Sequence, residues 1–254
     1  MTLSQSSSKR WFVYNWQSPK KGHDRFLVVD GLAGVADGAT PLDPSWPQNV
    51  GEFAEQILSE TSIHLDNSSL AEALRTAINN VRRILDIHEP FLSTSIALCS
   101  FTESTLDYLS LGDCSIVYKC KSQDPVHLVD TALERLDEVA YAIKDQIQRL
   151  DVLKKHRSLM NSGHSDGYWT VSANPDAVQH AVTGALSLSE LEWILVCTDG
   201  FTRWAEGQFE SLINAAIHLS KSPNSEFSLS QQNSISSELD TEADDATGLL
   251  WINS

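Results

Sequence analysis

Short apolar runs rich in β-branched and aromatic residues alternate along the chain with longer stretches of helical spacing. The runs predict strands at 11–16, 25–29, 33–36, 95–101, 106–109, 115–119, 168–171, 181–186, 193–197 and 247–252. Asp30-Gly31 separates the second and third runs, and 102–105 separates the fourth and fifth. Links that short predict hairpins, and so antiparallel pairing.

Helical periodicity is plain at 69–88, where Leu70, Leu74, Ala77, Ile78, Val81, Ile84 and Leu85 recur at spacings of three and four. Leu133, Leu136, Val139, Ala140, Ile143, Ile147, Leu150 and Leu153 predict one longer helix lying by a single face on a sheet. Weaker patterns at 48–65 and 209–219 predict two more. Helices bunched between groups of hairpin strands favour an α+β fold over a parallel α/β sheet. Residues 220–240 are rich in Ser, Asn and Gln without apolar periodicity, which predicts a flexible loop. A strand-like run follows that loop, so the expectation is one domain over 1–254.

The chain of 254 residues carries 18 Lys+Arg against 34 Asp+Glu, a net charge of −16. That balance argues against a nucleic-acid grip and against a polybasic membrane patch. No run approaches the about 18 apolar residues of a membrane span. The start of the chain, 1–9, is polar and Ser-rich, unlike a signal peptide. Cys99, Cys114, Cys120 and Cys197 show no paired spacing, as expected of reduced, buried thiols in a cytoplasmic protein.

Gly163-His164-Ser165-Asp166-Gly167 satisfies the G-x-S-x-G pattern of a hydrolase elbow, and Asp199 and His218 follow in triad order. The polar, helix-like stretch before it is the wrong context, so a loop is expected. Trp169, Trp193, Trp204 and Trp251 sit beside apolar runs and are expected in the core or at its rim.

The candidate chemistry lies in three Asp-bearing turns at strand ends: Ala36-Asp37-Gly38, Thr198-Asp199-Gly200 and Asp244-Asp245-Ala246-Thr247. Carboxylates gathered at one sheet edge repel each other, and hard divalent cations with oxygen ligands relieve that cost. Gly beside Asp lets a backbone carbonyl approach such an ion. With Gly22-His23-Asp24-Arg25-Phe26, Ser93-Thr94-Ser95 and Leu111-Gly112-Asp113-Cys114-Ser115, these turns resemble, in order across nearly the whole chain, the motifs of the metal-dependent type 2C protein serine/threonine phosphatases.

The resemblance implies an antiparallel β-sandwich flanked by helices on both faces, in four αββα layers. It implies hydrolysis of phosphoserine and phosphothreonine in proteins, with two Mn²⁺ or Mg²⁺ ions and a weaker third site. Asp37 would bridge the metals and Gly38 would offer its carbonyl. Asp199 and Asp244 would complete the first metal site, Asp24 would hold water at the second, and Asp113 would join Asp199 at the third. His23 stands where the family carries Glu, and would give the second site a nitrogen ligand. The family's phosphate-binding Arg falls on Pro19, leaving Lys20 or Lys21 as point charges. The expected partner is a phosphoprotein substrate and the expected state a monomer. The alternative reading is a weak or inactive phosphatase-fold binding or regulatory module.

Overall fold

The structure is a computed structural model that describes residues 11–18, 22–66, 68–86, 92–224 and 244–253. Among the described residues, ten strands form two antiparallel sheets of five. One sheet has the order β1 (Trp11–Trp16), β10 (Ala246–Ile252), β9 (Leu191–Cys197), β6 (Ser115–Cys120), β7 (Val126–Leu128). The other runs β2 (Arg25–Val29), β3 (Leu32–Gly38), β4 (Thr94–Phe101), β5 (Thr105–Leu111), β8 (Val182–Ser187). Both expected hairpins form: Val29 pairs with Leu32 around Asp30-Gly31, and Phe101 pairs with Leu106. Gly31 takes the left-handed conformation that the first turn needs, at φ +83°.

The central strands are apolar on both sides because both sides are covered. In β9, Ile194 and Val196 meet Ala33, Val35, Ala97 and Leu249 between the sheets. The alternate residues Trp193, Leu195 and Cys197 face outward onto Phe201, Trp204, Ala215 and Leu219. In β4, Ala97 and Cys99 face the other sheet, whereas Ile96 and Leu98 face Phe53, Ile57, Leu74 and Ile78. The outer layers are α1 (Val50–Ile63) and α2 (Leu70–Ile84) on one side, α5 (Asp199–Phe209) and α6 (Leu212–Lys221) on the other. This is the expected four-layer α+β sandwich. Helix α2 begins at a capping box, in which Ser69 and Glu72 satisfy each other's backbone N–H groups.

Four expectations need correction. The long helix is two helices, α3 (Ala132–Tyr141) and α4 (Gln146–Ser158), because Asp145 caps a fresh start by accepting from Gln148 N at 2.9 Å. Neither lies by an apolar face on a sheet: Ala140 is the pair's single buried residue, and Ile147 is 75% exposed. Residues 168–171 form no strand; Val171 makes one bridge to Thr94, and Thr170 bonds to the Asn161 side chain and Thr94 O. Helix α5 and the three-residue strand β7 were not expected. An Asp-Gly pair reads as a turn, yet here it opens α5, whose Phe201, Trp204 and Ala205 recur at helical spacing.

The four cysteines are free and buried. Trp193, Trp204 and Trp251 are buried, and the half-buried Trp169 stacks on His180 at 3.5 Å. Ser165 is exposed in a turn that no strand enters, which removes the elbow. Among the described residues, no helix is long and apolar enough to cross a membrane. The expected loop at 220–240 lies outside the described residues from 225 onward.

Candidate functional site

Antiparallel order sends five chain segments to the same end of the sandwich. Strand β3 finishes there at Asp37-Gly38, and β2 leaves from there just after Asp24. The β5–β6 turn puts Asp113 there, β9 delivers Asp199, and β10 departs just after Asp244 and Asp245. Each carboxylate thus stands at a strand terminus, where the ladder stops and side chains can converge.

Backbone pairing sets the register. Asp37 lies opposite Ser95 and Gly38 opposite Thr94. Thr94 Oγ1 donates to Asp37 O at 2.8 Å, and Asp113 N donates to Ser95 Oγ at 3.3 Å. The Ser93-Thr94-Ser95 segment therefore ties the Asp37 strand to the Asp113 turn. A side chain at Gly38 would meet the His23 carbonyl at 3.0 Å, so His23 packs directly against Asp37-Gly38.

The acids crowd one another. Asp24 is 2% exposed, and burial pushes its carboxyl well above the usual carboxylate range, with Asp245 and Asp199 adding to the rise. Thr198 opposes that shift by donating Oγ1 to Asp24 Oδ2 at 2.9 Å. Asp37 is also raised well above its usual range, first by burial, then by the negative charges of Asp199, Asp24 and Asp113. Asp113 is pushed up to about 7 by burial and by Asp199, against the Ser95 hydroxyl. Such mutual repulsion among hard oxygen donors is what a divalent cation relieves, so this donor set suits Mg²⁺ or Mn²⁺.

Asp244 is tied to Asp199 through an arginine. Arg203, one helical turn beyond Asp199 on α5, donates Nη1 to Asp244 Oδ2 at 2.9 Å and Nη2 to Asp199 Oδ2. With those two acids held by the guanidinium, no three His, Cys, Asp or Glu side chains among the described residues form a ready-made ligand group. Lys20 and Lys21 lie outside the described residues.

Several residues that shape this end escape a reading of the sequence. Asp245, 4% exposed, accepts from Ser18 N at 2.6 Å, Gly22 N at 3.2 Å, His23 N at 2.5 Å and Asp24 N at 3.3 Å. It folds the segment that presents His23 and Asp24, while its neighbour Asp244 faces Arg203. Gly200 is required beside it, because a Cβ there would lie 1.8 Å from Asp245 O. Asp137 on α3 is pushed up to about 6 by burial and then by Asp199, with Arg203 and Arg157 opposing. Asp137 borders a cavity of about 720 Å³ that reaches from α3 to Asp113, Asp199, Arg203 and Asp244. The signal for Asp245 was the Asp244-Asp245 doublet, and the signal for Arg203 was its i,i+4 spacing from Asp199.

No family model matches the sequence, and no curated protein matches it. Solved structures do match in three dimensions. RsbX, solved in complex with magnesium, is 11% identical, with a TM-score of 0.53 over 100% of this chain and 99% of its own. The serine/threonine phosphatase PstP/Ppp of Mycobacterium tuberculosis is 12% identical, with a TM-score of 0.54 over 96% of this chain and 98% of its own. Serine/threonine phosphatase Stp1 from Staphylococcus aureus is 14% identical, with a TM-score of 0.54 over 100% and 98%. The chain has the fold of these bacterial type 2C phosphatases.

Proposed function

We propose that this protein is a metal-dependent phosphatase acting on phosphoserine and phosphothreonine in proteins. The observation that carries the reading is the crowding of the buried Asp37 by Asp199, Asp24 and Asp113, on a fold shared with solved serine/threonine phosphatases. In this reading Asp37, Gly38 O, Asp199 and Asp244 would hold one divalent cation, Asp37 with His23 and Asp24 would hold a second, and Asp113 with Asp199 would hold a weaker third. Mn²⁺ or Mg²⁺, when bound, would lower the pKa of a water and offset charge on the phosphoryl group.

The chain's own residues have separate tasks. Asp24, buried beside Thr198 and Asp37, would hold and orient a water at the second site. Thr198 fixes that carboxyl, and Asp245 fixes the backbone beneath it. Lys20 or Lys21 would steer the phosphate as point charges. We read 1–254 as one such unit, cytoplasmic and monomeric, with a phosphoprotein as substrate. A binding or regulatory module without turnover is the second reading, favoured by the Arg203 fork on Asp199 and Asp244.

Hydrolysis of p-nitrophenyl phosphate and a phosphothreonine peptide, with Mn²⁺, Mg²⁺ or EDTA, separates the two. Turnover that requires Mn²⁺ or Mg²⁺ and stops in EDTA supports the enzyme. Metal uptake without turnover supports the module, and activity undiminished in EDTA overturns the metal mechanism.

A further inference from the structure

We propose that Arg203 is a tethered counter-cation that occupies the Asp199–Asp244 pair in the metal-free protein and must be displaced before a divalent ion can use it. The inference rests on the metal-centre reading of the same site.

Geometry supports this assignment. Phe201, Trp204 and Ala205 are buried and anchor α5, so the helix holds the base of Arg203 one turn from Asp199. From there the planar guanidinium reaches both acids at once, one through each terminal nitrogen. Those two carboxylates come from segments far apart in the chain, at the ends of adjacent strands β9 and β10. Strand pairing sets the two carboxylates side by side, and the guanidinium offsets their repulsion.

Displacement is open to Arg203 for two reasons. Its side chain is 54% exposed and borders the cavity, so it can rotate into solvent without unpacking the helix. Ion pairs in that setting hold weakly because water and salt screen them. A divalent ion carries twice the charge and sits closer to oxygen, at about 2.0–2.1 Å for Mg²⁺. The metal therefore wins the pair, but its net affinity is reduced by the contacts it breaks. A fork on this pair also keeps the apo protein from accumulating unbalanced negative charge beside Asp37.

The test is calorimetric titration of Mn²⁺ into chelator-treated full chain, for the parent, Arg203→Gln and Arg203→Met. Each variant removes the competing charge, and Arg203→Met keeps much of the stem. We expect Mn²⁺ to bind either variant at least about tenfold more tightly, a gain of about 1.4 kcal/mol. Without metal, both variants should melt at a lower temperature than the parent, and saturating Mn²⁺ should close that gap. Equal or weaker Mn²⁺ binding by the folded variants overturns the inference while leaving the metal centre standing. Uptake by none of the three proteins overturns both. Should the variants be unfolded without metal, recovery of native circular dichroism on adding Mn²⁺ supports the proposal, and no recovery overturns it.

Discussion

The hydroxyl of Thr198 donates to the carboxylate of Asp24 at 2.9 Å, joining the end of β9 in one sheet to the start of β2 in the other. The same oxygen accepts from Thr247 N at 3.0 Å, so strand β10 is held at that point too. One side chain thus locks three segments at the end of the sandwich where the acids gather. Thr198→Val keeps the shape and removes the hydroxyl, leaving a buried carboxylate and a buried N–H without that partner. We expect a loss of about 2 kcal/mol in chemical denaturation, larger than for a surface Thr→Val change.

Asp37 is the acid most surrounded by other acids, and its roles in stability and activity should oppose each other. Asp37→Asn removes a buried charge that its neighbours repel, so the metal-free variant should melt at or above the parent temperature. If the proposed metal reading holds, Mn²⁺-dependent hydrolysis should fall by at least about a thousandfold, since an amide would not replace the charge of the carboxylate between two cations. Parent-like turnover with the fold intact would remove Asp37 from the mechanism.

Asp245 accepts from four backbone N–H groups of the segment 18–24. Asp245→Ala leaves those donors without a carboxylate acceptor and should cost about 2–4 kcal/mol in a denaturant titration. Hydrogen exchange should quicken at Gly22, His23 and Asp24 ahead of the sheets. A neutral result would show that the segment keeps its shape unaided.

His23 packs beside Gly38 at the end of β3 where the acids gather. His23→Glu adds an anionic oxygen, which suits Mg²⁺ better than an imidazole nitrogen does. We expect tighter Mg²⁺ binding by about tenfold and a lower melting temperature without metal, because another anion joins the cluster. Unchanged Mg²⁺ affinity would mark His23 as a packing residue.

Asp137 supplies a pH dependence with a definite sign. Its folded pKa of about 6 lies above the model-peptide value of 3.8, so the folded state binds its proton more tightly. That contribution is fully present below pH about 4 and is lost as pH rises through 6. Asp137→Asn should flatten the loss of stability between pH 4 and 7 by about 1–2 kcal/mol, allowing for partial solvent screening. Urea midpoints measured across that range check it, and parallel curves for parent and variant would refute it.

Periodicity alone placed nine of the ten described strands and three of the helices because each signal is local. A two-sided apolar run such as 193–197 is explained only by cover on both faces, and Gly beside Asp at a strand end already marks where chemistry can sit. The α+β class and the turns bearing Asp37 and Asp199 followed from such signals, whereas the sandwich and the candidates Asp24 and Asp113 came from the resemblance of the motifs in order. Tertiary contacts decided the rest. In the Asp244-Asp245 doublet, nothing local says that Asp245 organises a segment more than 220 residues away while Asp244 meets Arg203. The apolar spacing of 133–153 is continuous, yet Asp145 restarts the helix, and neither half lies on a sheet. Alternation along a chain reports which side of an element is apolar; which charge meets which is set by segments that converge only once the two sheets are packed.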